Sequence, residues 1–141
     1  MPTEEKWHKT NKRIYYSDTD CGKVVYYANY LKYFEIGRTE FLRDNGIELE
    51  EYHKQGIIFV VARVEIEYKS SAKYNDNLSI ASCLRDYNRK TFTIENNIFN
   101  HSGVLLVTGI TKCACVNESG KLVSIPEKIL NVFSVLKFSL E

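Results

Sequence analysis

The stretch that decides the fold is residues 27–46, which read YANYLKYFEIGRTEFLRDNG. Its apolar side chains recur at i, i+3, i+4 and i+7, the spacing of one face of an α-helix. Asn45-Gly46 favours a C-terminal stop, because glycine tolerates the left-handed conformation found there. The pattern therefore predicts a helix from Tyr27 to Asn45, about 28 Å long at 1.5 Å per residue. Its predicted apolar face consists of Tyr27, Tyr30, Leu31, Phe34, Phe41 and Leu42.

Strand patterns occupy most of the remaining chain. Between residues 63 and 69, apolar and charged side chains alternate with the period of a half-buried strand. Short turn clusters separate the segments that follow, and short turns imply antiparallel pairing. The further predicted strands are Leu78–Tyr87, Thr91–Phe99 and Val104–Val116, with an earlier one from Trp7 to Tyr16. Short helices are predicted over Leu49–Gln55 and from Pro126 towards Val135.

These elements predict an α+β fold in which an antiparallel sheet of about five strands packs on one long helix. The chain has only two prolines and no low-complexity linker, so we expect a single domain over residues 1–141. Gly37 lies inside the helix, where we expect it to let the sheet approach closely. A sheet with one buried helix leaves its edges and second face uncovered, which favours a homo-oligomer.

Composition excludes several functional classes. Lys plus Arg number 19 against 18 Asp plus Glu, so no general attraction for nucleic acid or membrane surfaces is expected. No apolar run approaches the ~20 residues of a membrane span. The N-terminal residues 1–5 are polar and lack the apolar stretch of a secretory signal, so we expect a cytoplasmic protein.

Four cysteines fit the same expectation as reduced thiols. Cys113 and Cys115 form a C-x-C pair, but structural zinc sites usually combine C-x₂₋₄-C spacing with a second ligand pair, which is not visible here. We therefore interpret both cysteines as small core side chains. The three histidines are scattered along the chain, and the sequence predicts no metal site and no cofactor.

Residues 15–30, which read YYSDTDCGKVVYYANY, carry the candidate chemistry. Two carboxylates, Asp18 and Asp20, precede a glycine-containing turn that leads into the predicted helix. Helix N-termini present unpaired amides and a partial positive charge, so an oxyanion formed there is stabilised. A neighbouring carboxylate could attack a carbonyl or activate water. Spacing alone leaves the alternative that Asp and Thr here serve as turn formers and caps.

The pattern Asp-Thr-Asp-x₄-Val-Tyr-Tyr-Ala-Asn-Tyr-Leu-x₂-Phe-Glu-x₂-Arg, beginning at Asp18, resembles the signature of the 4-hydroxybenzoyl-CoA thioesterase family, and most closely its YbgC-like branch. The resemblance implies a hotdog fold that hydrolyses acyl-CoA thioesters without a metal or redox cofactor. It also implies a homodimer as the minimal unit, extended to a homotetramer, with active sites at the subunit interface. Carried over to this chain, the catalytic carboxylate is Asp20, and the backbone amide of Tyr27 is the oxyanion donor.

The resemblance extends to substrate contacts. Residues 85–92 resemble the basic turn that holds CoA phosphates in the hydroxybenzoyl enzyme, which assigns Arg89 and Lys90 to phosphate binding. Asn88 in this turn, together with Glu35 and Tyr26, completes the predicted substrate-binding set. The alternatives are a solvated hairpin tip for the turn and an ion pair of Glu35 with Arg38 on one helix face.

Two departures from the family pattern, and several alternatives, stay open at this stage. Tyr27 stands where many YbgC-like members carry His, which removes any imidazole role and disfavours a hotdog dehydratase. Lys23 stands where the family often has Gly. A non-catalytic module that binds acyl-CoA or acyl-carrier protein remains a rival to the thioesterase. The acyl group, CoA versus carrier-protein thioester, and covalent versus general-base catalysis are not fixed by the sequence.

Overall fold

The computed structural model describes residues 7–136, and secondary structure alternates along this range. The strands are β1 (His8–Arg13), β2 (Thr19–Asp20), β3 (Val24–Val25), β4 (Ile58–Tyr68), β5 (Asn77–Tyr87), β6 (Thr91–Phe99) and β7 (Leu105–Val116). The helices are α1 (Asn29–Asp44), α2 (Leu49–His53) and α3 (Glu127–Leu136). The polar N-terminal residues 1–5, which argued against a secretory signal, lie outside the described residues.

A five-stranded sheet in the order β1-β5-β6-β7-β4 forms the body of the molecule, and every neighbouring pair in it is antiparallel. Helix α1 packs on one face of this sheet, against β1, β5 and β6. The predicted α+β arrangement of one strand, one long helix and four further antiparallel strands is confirmed. β4 and β1 are the two edges, and α1 lies nearer to β1.

The buried face of α1 differs in part from the prediction. Tyr30, Phe34, Phe41 and Leu42 are buried as expected, but Tyr27 and Leu31 are 62% and 43% exposed. The helix begins at Asn29 rather than at Tyr27, and it leaves the side toward β4 uncovered. The full set of buried α1 residues is Tyr30, Tyr33, Phe34, Gly37, Phe41 and Leu42.

Gly37 has the predicted role of close approach. A Cβ at this position would lie 2.6 Å from Cγ2 of Ile80 and 2.7 Å from Oγ of Ser82, both on β5. Such distances are shorter than van der Waals contact, so only glycine lets α1 sit this near the sheet. The C-terminal stop is also confirmed, since Gly46 has φ +83° and its amide donates to the Arg43 carbonyl.

Two strand boundaries also differ from the prediction by more than one residue, and one hairpin was missed. β1 ends at Arg13 rather than near Tyr16, because residues 16–18 form a short 3₁₀ turn. β4 begins at Ile58, five residues before the alternating pattern, since the apolar run 57–62 shows no alternation that would reveal a strand. The β2–β3 hairpin was not predicted, and it carries Asp20.

Two core clusters lie at opposite ends of α1. The cluster at its N-terminal end joins Ile14, Val25 and Tyr30 to Leu78 and Ile98. The cluster at its C-terminal end joins Phe41 and Leu42 to Leu84, Phe92 and Phe133. The two clusters therefore hold α1 against the sheet at both of its ends. Cys83, Cys113 and Cys115 are buried, as expected of core thiols, and burial raises the pKa of each.

Candidate active site

The hairpin formed by β2 and β3 presents Asp20 at the N-terminal end of α1. Asp20 pairs with Val24, so three residues, Cys21, Gly22 and Lys23, connect β2 to β3. Cys21 and Gly22 have φ of 56° and 75°, and the Lys23 amide donates to the Asp20 carbonyl at 3.3 Å, which closes a tight turn with two consecutive positive φ values. The hairpin is anchored to the β4–β5 loop by the Val25 amide, which donates to the Ala72 carbonyl at 2.9 Å. Asp20 itself is exposed.

Asp18 is occupied by structural contacts on every side. One carboxylate oxygen accepts the Tyr15 amide at 2.8 Å, the other accepts the Tyr33 hydroxyl at 2.9 Å, and Lys12 Nζ lies 3.6 Å away. Its carbonyl oxygen accepts the Tyr26 amide at 3.0 Å and the Asn29 side-chain amide at 2.8 Å. Asp18 thus ties the turn to the start of α1, whereas the carboxylate of Asp20 has no hydrogen-bond or ion-pair partner among residues 7–136.

The environment of Asp18 makes a prediction about acid stability. Burial opposes its ionisation, but hydrogen bonds from Tyr15 and Tyr33 and the charge of Lys12 outweigh burial and lower its pKa below 3.8. A lowered folded-state pKa stabilises the fold above the unfolded pKa, and this contribution is lost as pH falls through the folded value. We expect Asp18→Asn to lower the free energy of unfolding near neutral pH by about 1 kcal/mol or more.

Urea denaturation near neutral pH and near pH 3 measures this effect. The difference between wild type and Asp18→Asn should shrink at the acid end, because the stabilisation from the lowered pKa of Asp18 decreases once the pH falls below the unfolded-state pKa. Glu51→Gln, an exposed carboxylate on α2, serves as the control and should change neither curve. A difference of equal size at both pH values would mean that the charge of Asp18 contributes nothing.

Two backbone amides at the start of α1 have no acceptor within residues 7–136. The amides that flank them are paired, since Tyr26 donates to Asp18 and Asn29 donates to Tyr26. The amides of Tyr27 and Ala28 lie between these two and enter no hydrogen bond with a described residue. They precede the first turn of a 16-residue helix, where the helix dipole adds a partial positive charge. The pair can therefore stabilise a negatively charged oxygen.

Tyrosine side chains surround the two amides. The rings of Tyr26 and Tyr27 lie 4.9 Å apart, and the Tyr68 hydroxyl donates to the Tyr27 carbonyl at 3.4 Å. The neighbouring Tyr27 hydroxyl raises the pKa of Tyr26, and the negative charge of Asp20 adds to the same upward shift. Tyr68 was missed at the sequence level, because it lies 41 residues from Tyr27 and belongs to no visible motif.

The predicted phosphate-binding turn lies at the other end of the molecule. Asn88, Arg89 and Lys90 connect β5 to β6 and are exposed. The side-chain oxygen of Asn88 accepts the amides of Lys90 and Thr91 at 2.8 and 2.9 Å, so this residue shapes the turn. β5 starts beside the Asp20 end and runs 11 residues, roughly 35 Å at about 3.3 Å per residue, before it reaches the turn. Within one chain, the turn and Asp20 are not brought together.

Glu35 and Arg38 line an open groove between α1 and β4. Although they are three residues apart on one helix face, the described residues show no ion pair between them, so that alternative is wrong. Among the described residues, this helix instead has the ion pairs of Arg43 with Glu40 and Glu48 and the contact of Asp44 with His8. Both groove residues therefore keep their charged groups available to a bound molecule.

Residues 7–136 contain no group of three or more His, Cys, Asp or Glu side chains arranged to hold a metal ion. In the same range, no helix has the length and apolar character needed to cross a membrane.

Comparisons with known proteins agree on one family. Residues 15–133 match the family described as the thioesterase-like superfamily. The acyl-CoA thioesterase YbgC of Haemophilus influenzae is 35% identical over 128 residues, which cover 89% of this chain and 93% of that protein. The structure of a DHNA-CoA thioesterase from Staphylococcus aureus has a TM-score of 0.89 at 27% identity and covers 92% of this chain and 90% of its own. A probable thioesterase from Bartonella henselae has a TM-score of 0.79 at 35% identity, covering 85% and 99%.

Proposed function

Since this chain belongs to the thioesterase-like superfamily, has the hotdog fold and is a thioester hydrolase, we propose that it hydrolyses acyl-CoA with Asp20 as its catalytic carboxylate. One observation carries the assignment. Asp20 is an exposed carboxylate without a partner among residues 7–136, in the hairpin that leads into the two unpaired amides, whereas both carboxylate oxygens of Asp18 are engaged. The sequence similarity to acyl-CoA thioesterases supports the choice of substrate.

The reaction follows from this geometry. The thioester carbonyl oxygen lies at the amides of Tyr27 and Ala28, which stabilise the oxyanion of the tetrahedral intermediate. Asp20 either attacks the carbonyl carbon directly or takes a proton from a water that attacks it. An aspartate is ionised at neutral pH without help, so no second base is required. Collapse of the intermediate breaks the carbon–sulfur bond.

The leaving group explains why a single carboxylate suffices. A thiol has a pKa of about 8.5, so CoA departs as a thiolate without an assigned proton donor. In the general-base route, the proton that Asp20 takes from water passes to this thiolate. In the covalent route, water hydrolyses the acyl–Asp20 anhydride and the thiolate is protonated by solvent. Either route yields the free acid and CoA, and neither uses a metal or redox cofactor.

The phosphate-binding residues reach the reaction through a second copy of the chain. β4 is an edge strand of 11 residues that exposes Val60, Val61 and Val64. A long apolar edge of this kind is a template for pairing with another strand. We propose that two β4 strands pair antiparallel about a two-fold axis near Arg63, which gives the homodimer from which a homotetramer is built.

The register of this pairing determines what meets at the interface. Phe59 pairs with Cys115, whose amide donates to the Lys90 carbonyl at 2.9 Å, so Phe59 lies level with the basic turn. Tyr68 lies level with Tyr27, through its hydroxyl contact. A two-fold axis near Arg63 sets Phe59 of one chain opposite Tyr68 of the other. The basic turn of each chain then lies at the end of the sheet that carries Asp20 of its partner.

Free-thiol release from a panel of acyl-CoAs tests the proposed activity. We expect the wild-type chain to release thiol from at least one short, medium or aromatic acyl-CoA, with kcat/KM above about 10⁴ M⁻¹s⁻¹ for the preferred substrate. The same assay with acyl-carrier-protein thioesters of the same acyl groups shows whether the chain acts on CoA or on carrier-protein thioesters. Binding of CoA esters without thiol release from either kind of thioester would favour the non-catalytic binding module.

A further inference from the structure

The groove between α1 and β4 begins at Leu31, about one helical turn beyond the unpaired amide of Ala28. It has a volume of about 350 Å³, within the usual range of small-molecule sites. Ala28, Leu31, Glu35 and Arg38 follow one another at helical spacing, so they lie along one side of α1. A molecule whose carbonyl sits at the amides would extend along this side. The groove is lined by Leu31, Lys32, Phe34, Glu35, Arg38, Val61, Val64 and Thr111.

Thr111 on β7 is the unusual member of this lining. It is 2% exposed, and its hydroxyl has no hydrogen-bond partner among the described residues. A buried hydroxyl without a partner lowers stability, and most buried polar groups in proteins are satisfied. The remaining floor is apolar, since Phe34, Val61 and Val64 offer no donor or acceptor from their side chains. Thr111 therefore provides the groove with one unused hydrogen-bonding group.

Two neighbouring residues of β7 show which turn of α1 lies opposite Thr111. Phe34 lies against Gly109, and Arg38 is close enough to Cys113 to influence its thiol electrostatically. Thr111 lies between these two β7 residues and thus faces the helix turn that contains Glu35. From Ala28 to Glu35 the helix rises about 10 Å at 1.5 Å per residue.

We propose that this groove holds the acyl group of the substrate and that the Thr111 hydroxyl hydrogen-bonds an oxygen at the distal end of that group. The inference rests on the proposed thioesterase function and narrows its substrate class. An oxygen about 10 Å from the thioester carbonyl belongs to the far end of a medium-length chain or of a fused aromatic ring system. A hydroxyl next to the carbonyl, as in a 2-hydroxyacyl group, does not reach Thr111.

Matched pairs of CoA esters test this proposal and separate the two sources of the oxygen. Octanoyl-CoA is compared with ω-hydroxyoctanoyl-CoA, and naphthoyl-CoA is compared with a naphthoyl-CoA hydroxylated on its far ring. We expect wild type to prefer the hydroxylated member of one pair by about tenfold in kcat/KM, the size of one hydrogen bond to a buried group. The pair that shows the preference identifies the class.

Two variants assign the preference to the hydroxyl. Thr111→Val keeps the shape and should abolish the preference, while Thr111→Ser keeps the hydroxyl and should retain it. Thr111→Val should also raise Tm, because it removes a buried polar group that has no partner in the free protein. Equal rates within both pairs for wild type, or a preference that survives in Thr111→Val, would overturn the proposal.

A binding measurement keeps this inference distinct from the proposed activity. If wild type releases no thiol from any ester, the thioesterase assignment fails, and the groove is then tested with free acids. The rise in Tm is measured with ω-hydroxyoctanoate and with octanoate, and likewise with the two naphthoates. In wild type, the hydroxylated acid of one pair should raise Tm more than its partner does. In Thr111→Val, both acids of each pair should raise Tm equally. Equal shifts for both acids in wild type would overturn the assignment of Thr111.

Discussion

Asp20→Asn is expected to lower kcat/KM for acyl-CoA hydrolysis at least about 100-fold, which corresponds to about 2.7 kcal/mol of activation free energy. An amide has the size of a carboxylate, but it neither attacks a thioester nor removes a proton from water. The side chain of Asp20 is exposed and makes no hydrogen bond or ion pair with a described residue, so Tm should not fall. Substrate binding should also persist, because the unpaired amides and the groove are unchanged.

The control for this variant is Glu51→Gln, which removes one negative charge from an exposed site on α2, at the opposite end of α1. Its kcat/KM should stay within about twofold of wild type, because surface charges far from a site have small effects. If Asp20→Asn remained as active as wild type, the reacting carboxylate would lie elsewhere. Glu35 would then be examined first, since it lines the groove, whereas Asp18 is engaged by three partners.

Local sequence patterns predicted the structure correctly where burial and backbone conformation depend on residues nearby in the chain. The span of β6 was predicted from the turn clusters on either side, and observed and predicted bounds coincide at Thr91 and Phe99. The C-terminal end of α1 was predicted because Asn45-Gly46 is a local signal. Gly37 was predicted correctly as well, since a glycine inside a helix costs stability unless a close contact requires it.

Properties that depend on distant parts of the chain were not accessible from these patterns. Helical spacing assigned Tyr27 and Leu31 to the core, but the side of α1 that carries Leu31 lies against an edge strand and remains open. The unsatisfied hydroxyl of Thr111 has no sequence signal at all, because it depends on what surrounds β7 in three dimensions. Tyr68 reaches Tyr27 only through the position of β4.

The distance between Asp20 and the basic turn is the clearest case of this kind. Both segments match one family pattern, and a pattern carries no information on whether its parts meet within a chain. The sheet separates Asp20 from Arg89 and Lys90 by the length of β5. A site that uses all three residues therefore requires two chains, and this requirement can be measured directly.

Heterodimers of an Asp20→Asn chain with an Arg89→Ala/Lys90→Ala chain are expected to recover activity that neither homodimer has. The basic-turn variant should lose at least about tenfold in kcat/KM, because the two proposed charged contacts to the CoA phosphates are removed. In the heterodimer, intact Asp20 from one chain faces the intact turn of the other. One of its two sites is then complete, so about half of wild-type activity per dimer should return. Co-expression with two affinity tags isolates this species for thiol-release assays.

The reciprocal heterodimer distinguishes the shared site from a site within one chain. It pairs a wild-type chain with one that carries Asp20→Asn, Arg89→Ala and Lys90→Ala together. If each site takes Asp20 from one chain and the basic turn from the other, neither site is complete and activity should fall to the level of the defective homodimers. If each chain holds its own site, this heterodimer should keep about half of wild-type activity, and the first heterodimer should recover none. Because the two arrangements predict opposite results for the same two proteins, light scattering that finds the same assembly size in both preparations is sufficient to interpret the rates.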